Sequence, residues 1–409
     1  MTSKECFVYI QLPNSFETVT VGKFKWEKAG SNSEVGTFIY GQSYLRNPNR
    51  ISLDPFNLPL EEREFQVTIN EGVHGPIRDA SPDSWGRYVI QKNTPLDQHD
   101  PMGYLLNSAG DRIGALSFGF GKVPPAPVRI FNKTIDLEKL IKAAHKLEKD
   151  QPLSKAEKAL LMVGPSAGGA RPKTTVENNN NLWIAKFPAV ADKQNFSKIE
   201  YVTMKFAKKC GLNVPDVDLV QIGGQDVFLI KRFDRVYQKS KQDYYRHHFV
   251  SGLTLLNLDE RDYANWSYID FADQMRRWIL NPSNDLRELF KRIAFNGLIS
   301  NTDDHPRNHG FIHTGNGYRL SPVYDLVPKP EAGTTRYLAM PFGDQGKVFI
   351  FENLISRSDA FGLSREEATL IYKKLKSNIS NWRSFYSANG LASSDMEYLE
   401  NSFNHWKTL

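Results

Sequence analysis

Apolar and polar residues alternate along 7–11, 18–25 and 36–40, a period of two that predicts half-buried strands, and a helical pattern follows over 85–93. Apolar positions then recur every three or four residues through 136–149, 155–162 and 196–211, which predicts helices, the second opened by Ser154 and Glu157 as a capping box. Beyond about residue 250 the helical period dominates, over 268–280, 285–300, 365–378 and 395–406, with Ser-x-x-Glu starts at Ser364 and Ser394. Phe311-Ile312 followed by Gly315-Asn316-Gly317 reads as a strand and tight turn, and the asparagines of 178–181 as a brief polar turn. Lys122-Val-Pro-Pro-Ala-Pro-Val128 is a stiff joint, because proline fixes φ and removes a donor. The expected division is an N-terminal α/β domain over 1–122, a joint at 123–128, a mixed lobe over 129–250 and a helical lobe over 251–409.

Composition narrows this only slightly. A chain of 409 residues exceeds one typical core, so two or three domains are expected. Its 52 basic and 46 acidic side chains leave a formal charge of +6, mildly basic and no nucleic-acid signature by itself, and no helix-turn-helix pattern is present. Two cysteines far apart exclude a disulfide framework and suit a reducing cytoplasm. No apolar run nears the ~20 residues of a membrane span and the amino terminus does not read as a signal peptide, so a soluble cytoplasmic protein is expected. Trp266, Trp278, Trp382 and Trp406 sit at helical spacing, which assigns them to packing.

The chemistry concentrates in Asn301-Thr-Asp-Asp-His-Pro-Arg-Asn308 and in Asp325 shortly after it. A protein-kinase catalytic loop uses an Asp as base, an Asn five positions on as a metal ligand and a later Asp on the same ions; Asp303, Asn308 and Asp325 have that order. Carboxylate and amide oxygens with nucleotide phosphates make a suitable magnesium set. His305 and His309 also invite a zinc reading, but Pro306 and Gly310 disfavour the helix that a histidine pair four apart requires. Upstream, Val163-Gly-Pro-Ser-Ala-Gly-Gly-Ala-Arg-Pro-Lys173 is dense enough in glycine for its backbone to approach phosphates, and Lys186 ends an apolar run like the strand lysine that pairs with nucleotide phosphates. Glu200 is either the partner of Lys186 or, with Ser197, half of a capping box.

The ordered set of Ser81-Pro-Asp-Ser-Trp-Gly-Arg87, Ser166-Ala-Gly-Gly-Ala-Arg-Pro-Lys173, Ala185-Lys-Phe187, Arg232-Phe-Asp-Arg235, Asp303-Asp-His-Pro-Arg-Asn308 and Tyr324-Asp-Leu326 resembles the HipA family, the serine/threonine kinase toxins of bacterial type II toxin–antitoxin pairs. The resemblance implies an α+β fold, a kinase-like two-lobed body behind the N-terminal domain, using ATP and Mg2+. It implies Asp303 as catalytic base and Asn308 and Asp325 as metal ligands. Ser166, Ala167, Gly168, Gly169, Lys173 and Lys186 would lie along the nucleotide phosphates with His305. Lys231 and Phe233 would contact adenine, and Asp234 the ribose. Ser166 falls at the family's autophosphorylated serine, where an added phosphate of about −1.5 to −2 charge would repel the ATP phosphates. The implied partners are a DNA-binding helix-turn-helix antitoxin similar to HipB, with DNA reached only through it, and a protein substrate in translation such as an aminoacyl-tRNA synthetase. Asp-x-His-x-x-Asn also resembles the catalytic loop of phosphatidylinositol kinases, so a lipid or small-molecule kinase stands as an alternative, as does a kinase-like co-repressor. Asp304 departs from the family pattern and its role stays open.

Overall fold

The computed structural model describes residues 3–28, 33–108, 110–126, 131–162 and 171–404, and within these the architecture is α+β. Strands Ser3–Gln11, Thr18–Lys28 and Glu34–Tyr40 lie at the predicted places, a few residues longer than the alternation suggested. They form an antiparallel sheet with Glu64–Val67 at one edge and Leu116–Gly119 at the other. Its buried face carries Val8, Ile10, Phe24, Trp26 and Phe38.

The second sheet runs in the order Asn132–Lys133, Lys173–Asn178, Asn181–Lys186, Gln225–Lys231, Val217–Ile222. The turn joining its second and third strands places Asn179 and Asn180 at φ of 49° and 58°, a left-handed pair that suits a two-residue hairpin. Helix Phe196–Lys209 packs on Gln225–Lys231. Asn195 caps that helix by accepting from the Lys198 N–H at 3.0 Å, which leaves Glu200 free of the capping role. Trp85 and Val89 of helix Ser84–Asn93 share a core cluster with Leu140, Ala144 and Leu229, so residues on both sides of the 123–128 joint pack together.

The largest core cluster joins helices Phe196–Lys209, Tyr268–Trp278, Ser283–Leu298 and Arg365–Ile379. Capping boxes form at Ser154 with Glu157 and at Ser364 with Glu367. The one anticipated at Ser394 does not, because the helix starts two residues earlier behind Ala392, and the helix expected over 395–406 breaks into Ser393–Tyr398 and Glu400–Asn404. A small sheet of His248–Ser251, Gly310–His313 and Tyr318–Leu320 lies within the otherwise helical part. Trp278 and Trp382 are core residues, whereas Trp266 is only partly buried, and Trp406 lies outside the described residues. Among the described residues no helix is long and apolar enough to cross a membrane.

Candidate active site

The end of helix Ser283–Leu298 is buried without interruption from Arg292 to Leu298 and delivers the chain into the acidic loop. Ser300 reverses it with φ 56°, its carbonyl accepting from the Lys329 N–H at 2.9 Å. The loop closes in a 3-10 turn, Pro306–Asn308, and enters strand Gly310–His313. Asp303 is exposed, its carboxylate 3.8 Å from Lys329 Nζ, a contact between two exposed groups that adds little energy. Asn308 Nδ2 donates to the Asp303 carbonyl at 3.0 Å, which turns the amide so that Oδ1 is its remaining acceptor. Such an amide oxygen suits a hard divalent cation.

Asp304 faces the other way. Its carboxylate is buried and accepts from the Tyr268 hydroxyl, from Asn296 Nδ2 at 2.7 Å and from His309 Nε2 at 2.9 Å. Burial pushes the carboxyl up, but His309 and the Tyr268 hydrogen bond outweigh this and hold it below the ordinary aspartate value. Its contribution to stability is therefore complete above the unfolded carboxylate pKa and is lost as pH falls through the lower folded value. The second carboxylate anchors the loop while Asp303 stays accessible. Asp304→Asn, which keeps the shape but leaves donors opposed to donors, is expected to cost about 1–3 kcal/mol, read as a lower denaturation midpoint. His309 is committed to this network.

Lys186 ends strand Asn181–Lys186 and brings two carboxylates together: Glu200 Oε1 lies 2.6 Å from Nζ, and Asp325 Oδ1 makes a second hydrogen bond. Burial works against the ammonium, yet these carboxylates hold its pKa above the ordinary lysine value. Burial raises Glu200 overall, whereas for Asp325 Lys186 overcomes burial and lowers it. Asp325 adopts φ 56°, a left-handed conformation that aspartate tolerates better than most side chains. The preceding Tyr324 donates its hydroxyl to the Arg307 carbonyl at 2.8 Å and stacks on Phe233 with centroids 5.8 Å apart. The acidic loop, the strand lysine and the later aspartate thus share one locality.

Other candidates are placed differently. Lys173 is buried in an ion pair with Asp83 at 2.9 Å, and Trp85 Nε1 donates to its carbonyl, so the Ser81–Arg87 motif grips this strand. Lys231 meets Asp216 at 3.3 Å, and its backbone N–H is taken by the Asp216 carbonyl. Asp234 does not present its carboxylate to a ligand: it is fully buried, bound by Arg232, Arg235 and the Gly114 N–H. Phe233 is half-buried beside Tyr324. His305 lies edge-on to Trp266 with centroids 6.2 Å apart, and its buried Nδ1 lacks a partner among the described residues, an orphaned polar atom suited to a bound group. Ser166, Ala167, Gly168 and Gly169 lie outside the described residues. Nothing local in the sequence pointed to Tyr268, Asn296 and His309 as anchors of Asp304, or to the Phe233–Tyr324 stack.

The model of the HipA-like C-terminal domain matches residues 165–382, and that of the HipA N-terminal domain matches 15–119. The chain belongs to the HipA family. A putative kinase of Haemophilus influenzae is 30% identical over 178 residues, 40% of this chain and 51% of that protein. The serine/threonine-protein kinase toxin HipA of Shewanella oneidensis is 28% identical over 184 residues, 41% of this chain and 42% of that protein. The chain therefore spans about half or less of the length of these curated relatives. A chain of the solved Shewanella oneidensis MR-1 complex of HipA, HipB and operator DNA superposes with a TM-score of 0.70 at 18% identity, covering 97% of this chain and 95% of that one. This likeness establishes the HipA fold for the protein.

Proposed function

We propose that the protein is an ATP- and magnesium-dependent serine/threonine protein kinase, acting as the toxin of a toxin–antitoxin pair. The observation that carries this is the meeting at Lys186 of Glu200 and Asp325, beside a loop that exposes Asp303 and orients Asn308. In this reading Lys186, steered by Glu200, donates N–H bonds to the nucleotide phosphates in place of Asp325. Asp325 and the Asn308 Oδ1 hold magnesium, which when bound neutralises phosphate charge. Asp303 accepts the proton of the incoming hydroxyl, and His305 lies along the phosphates. Lys173, held by Asp83, stands opposite Lys186 in the strand pairing and so lies near the same place.

The finer parts of the reading are the partners and the switch. A helix-turn-helix antitoxin neutralises the kinase and carries it to DNA, in a cytoplasmic protein whose substrate is a translation component such as an aminoacyl-tRNA synthetase. HipA and HipB occur together with operator DNA in the Shewanella complex, which supports the partner class. Ser166 is the autophosphorylated residue, and Ala167, Gly168 and Gly169 bind the nucleotide phosphates. Incubation with ATP and magnesium is expected to add one phosphate to the 163–173 segment, located by peptide mass spectrometry. An unmodified segment in a protein that phosphorylates other substrates would remove the switch.

A further inference from the structure

The chemistry of the site does not use a dense charge cluster that ties the N-terminal domain to the segment after strand Gln225–Lys231. Arg232 reaches Asp111 Oδ2 at 2.6 Å, Asp234 at 3.0 and 2.9 Å, the Arg112 carbonyl at 2.8 Å and Thr175 Oγ1 at 3.2 Å. Arg235 reaches Asp234 Oδ2 at 2.6 Å, the Gly114 carbonyl at 3.0 Å and Asp111 Oδ1 at 3.3 Å. Gly114 returns its N–H to Asp234 at 2.8 Å, and Arg246 Nε donates to the Gly114 carbonyl at 3.1 Å. Of the six side chains involved, Arg232, Arg235, Asp111 and Asp234 are each no more than 7% exposed.

Stability alone is a poor reason for such a cluster. Removing charges from water costs several kcal/mol per ion, and apolar packing of the same volume often stabilises as well or better. What a satisfied buried network supplies is fixed geometry. Here it fixes both neighbours of Phe233, since Arg232 and Asp234 flank it in the chain. Phe233 stacks on Tyr324, Tyr324 hydrogen-bonds the Arg307 carbonyl in the catalytic loop, and the next residue, Asp325, holds Lys186. A continuous set of contacts thus runs from Asp111 of the N-terminal domain to the strand lysine and the base loop.

We infer that Asp111 is a positioning residue for the nucleotide site: through Arg232 and Arg235 it sets Phe233, and through Phe233 and Tyr324 it sets Asp325. The inference rests on the kinase reading above and adds that the N-terminal domain is part of the nucleotide-binding machinery. Asp111 touches neither substrate nor metal, so its loss weakens nucleotide binding by misplacing the groups that do the holding.

The test is the dissociation constant for ATP with magnesium, by calorimetry on the full chain, for wild type, Asp111→Asn and Leu58→Ala, with each variant's Tm. Leu58 is buried in the N-terminal core and is not among the residues that bond Arg232 or Arg235, so its truncation destabilises without removing a contact of the charge cluster. Asp111→Asn is expected to raise the dissociation constant about 2- to 30-fold, the range over which coupled contacts act, with Asp111→Glu recovering part of it. Leu58→Ala is expected to lower Tm and leave binding unchanged. Equal binding by wild type and Asp111→Asn overturns the inference, as does an equal loss in Leu58→Ala. Should Asp111→Asn fail to fold, Thr175→Val, which removes one contact to Arg232, carries the same comparison. A wild type that binds no nucleotide overturns the kinase reading itself, a distinct outcome.

Discussion

Replacing Asp303 by Asn is expected to lower phosphoryl transfer by ~10²- to 10⁴-fold, the usual worth of a positioned general base. The expectation follows from where the two adjacent aspartates point. Asp304 is withdrawn into hydrogen bonds with Tyr268, Asn296 and His309, whereas Asp303 is exposed, with only an exposed lysine 3.8 Å away. Because the loop is anchored through Asp304 and not through Asp303, the substitution should leave Tm unchanged and nucleotide affinity nearly so. Single-turnover transfer measured beside nucleotide binding separates these quantities. A variant that binds ATP normally and still transfers at the wild-type rate would place the base elsewhere.

Acidification between pH 7 and 5 is expected to destabilise the protein, because three buried histidines are held neutral. His74 and His248 each lie against a carbonyl, of Phe65 at 3.1 Å and Leu53 at 3.0 Å, and His313 is buried beside His248 and His247. Burial lowers each to about 4 from an ordinary value of 6.5. A lowered value means that the unfolded chain takes up protons first, so stability is complete above pH 6.5 and is lost progressively toward pH 4. At pH 5 each histidine would forfeit on the order of 2 kcal/mol. Asp111, Asp304 and Asp325 are held low by their partners and do not mask the effect in this window, whereas Glu200, raised by burial, opposes it in part. Since His248 joins the strand before helix Gly252–Leu256 to Leu53, loosening should begin where the N-terminal domain meets the rest of the chain. Urea midpoints at pH 7, 6 and 5 check it; equal midpoints would contradict the burial of these rings as neutral species.

What the sequence revealed was local. Lys186 stands at the end of its own apolar run, Asn308 follows Asp303 within one loop, and the helices over 155–162 and 365–378 announce themselves by capping serines and glutamates a few residues apart. The α+β class and the family were legible for the same reason, as short motifs in a fixed order. What stayed hidden depends on contacts across long stretches of chain. Glu200 had two local readings, and only the cap at Asn195 and the approach of Lys186 decide between them. The role of Asp304 stayed open because its partners Tyr268 and Asn296 come from two other helices. Asp234 looked available to a ribose because Asp111, Arg112 and Gly114, which help enclose it, lie about 120 residues earlier. The helix Trp382–Ala388 was missed because the Trp382–Phe403 stack and the Thr203–Tyr386 contact hold it.

In the proposed reading Lys186, Asp303, Asn308 and Asp325 form one phosphoryl-transfer site acting on protein hydroxyls. It is tested most directly by incubating the full chain with γ-labelled ATP and a bacterial lysate, with magnesium or with chelator, and identifying the labelled amino acids. The account predicts magnesium-dependent label on serine or threonine, lost in Asp325→Asn. Label confined to lipids or small molecules, or undiminished transfer by Asp325→Asn, would contradict it.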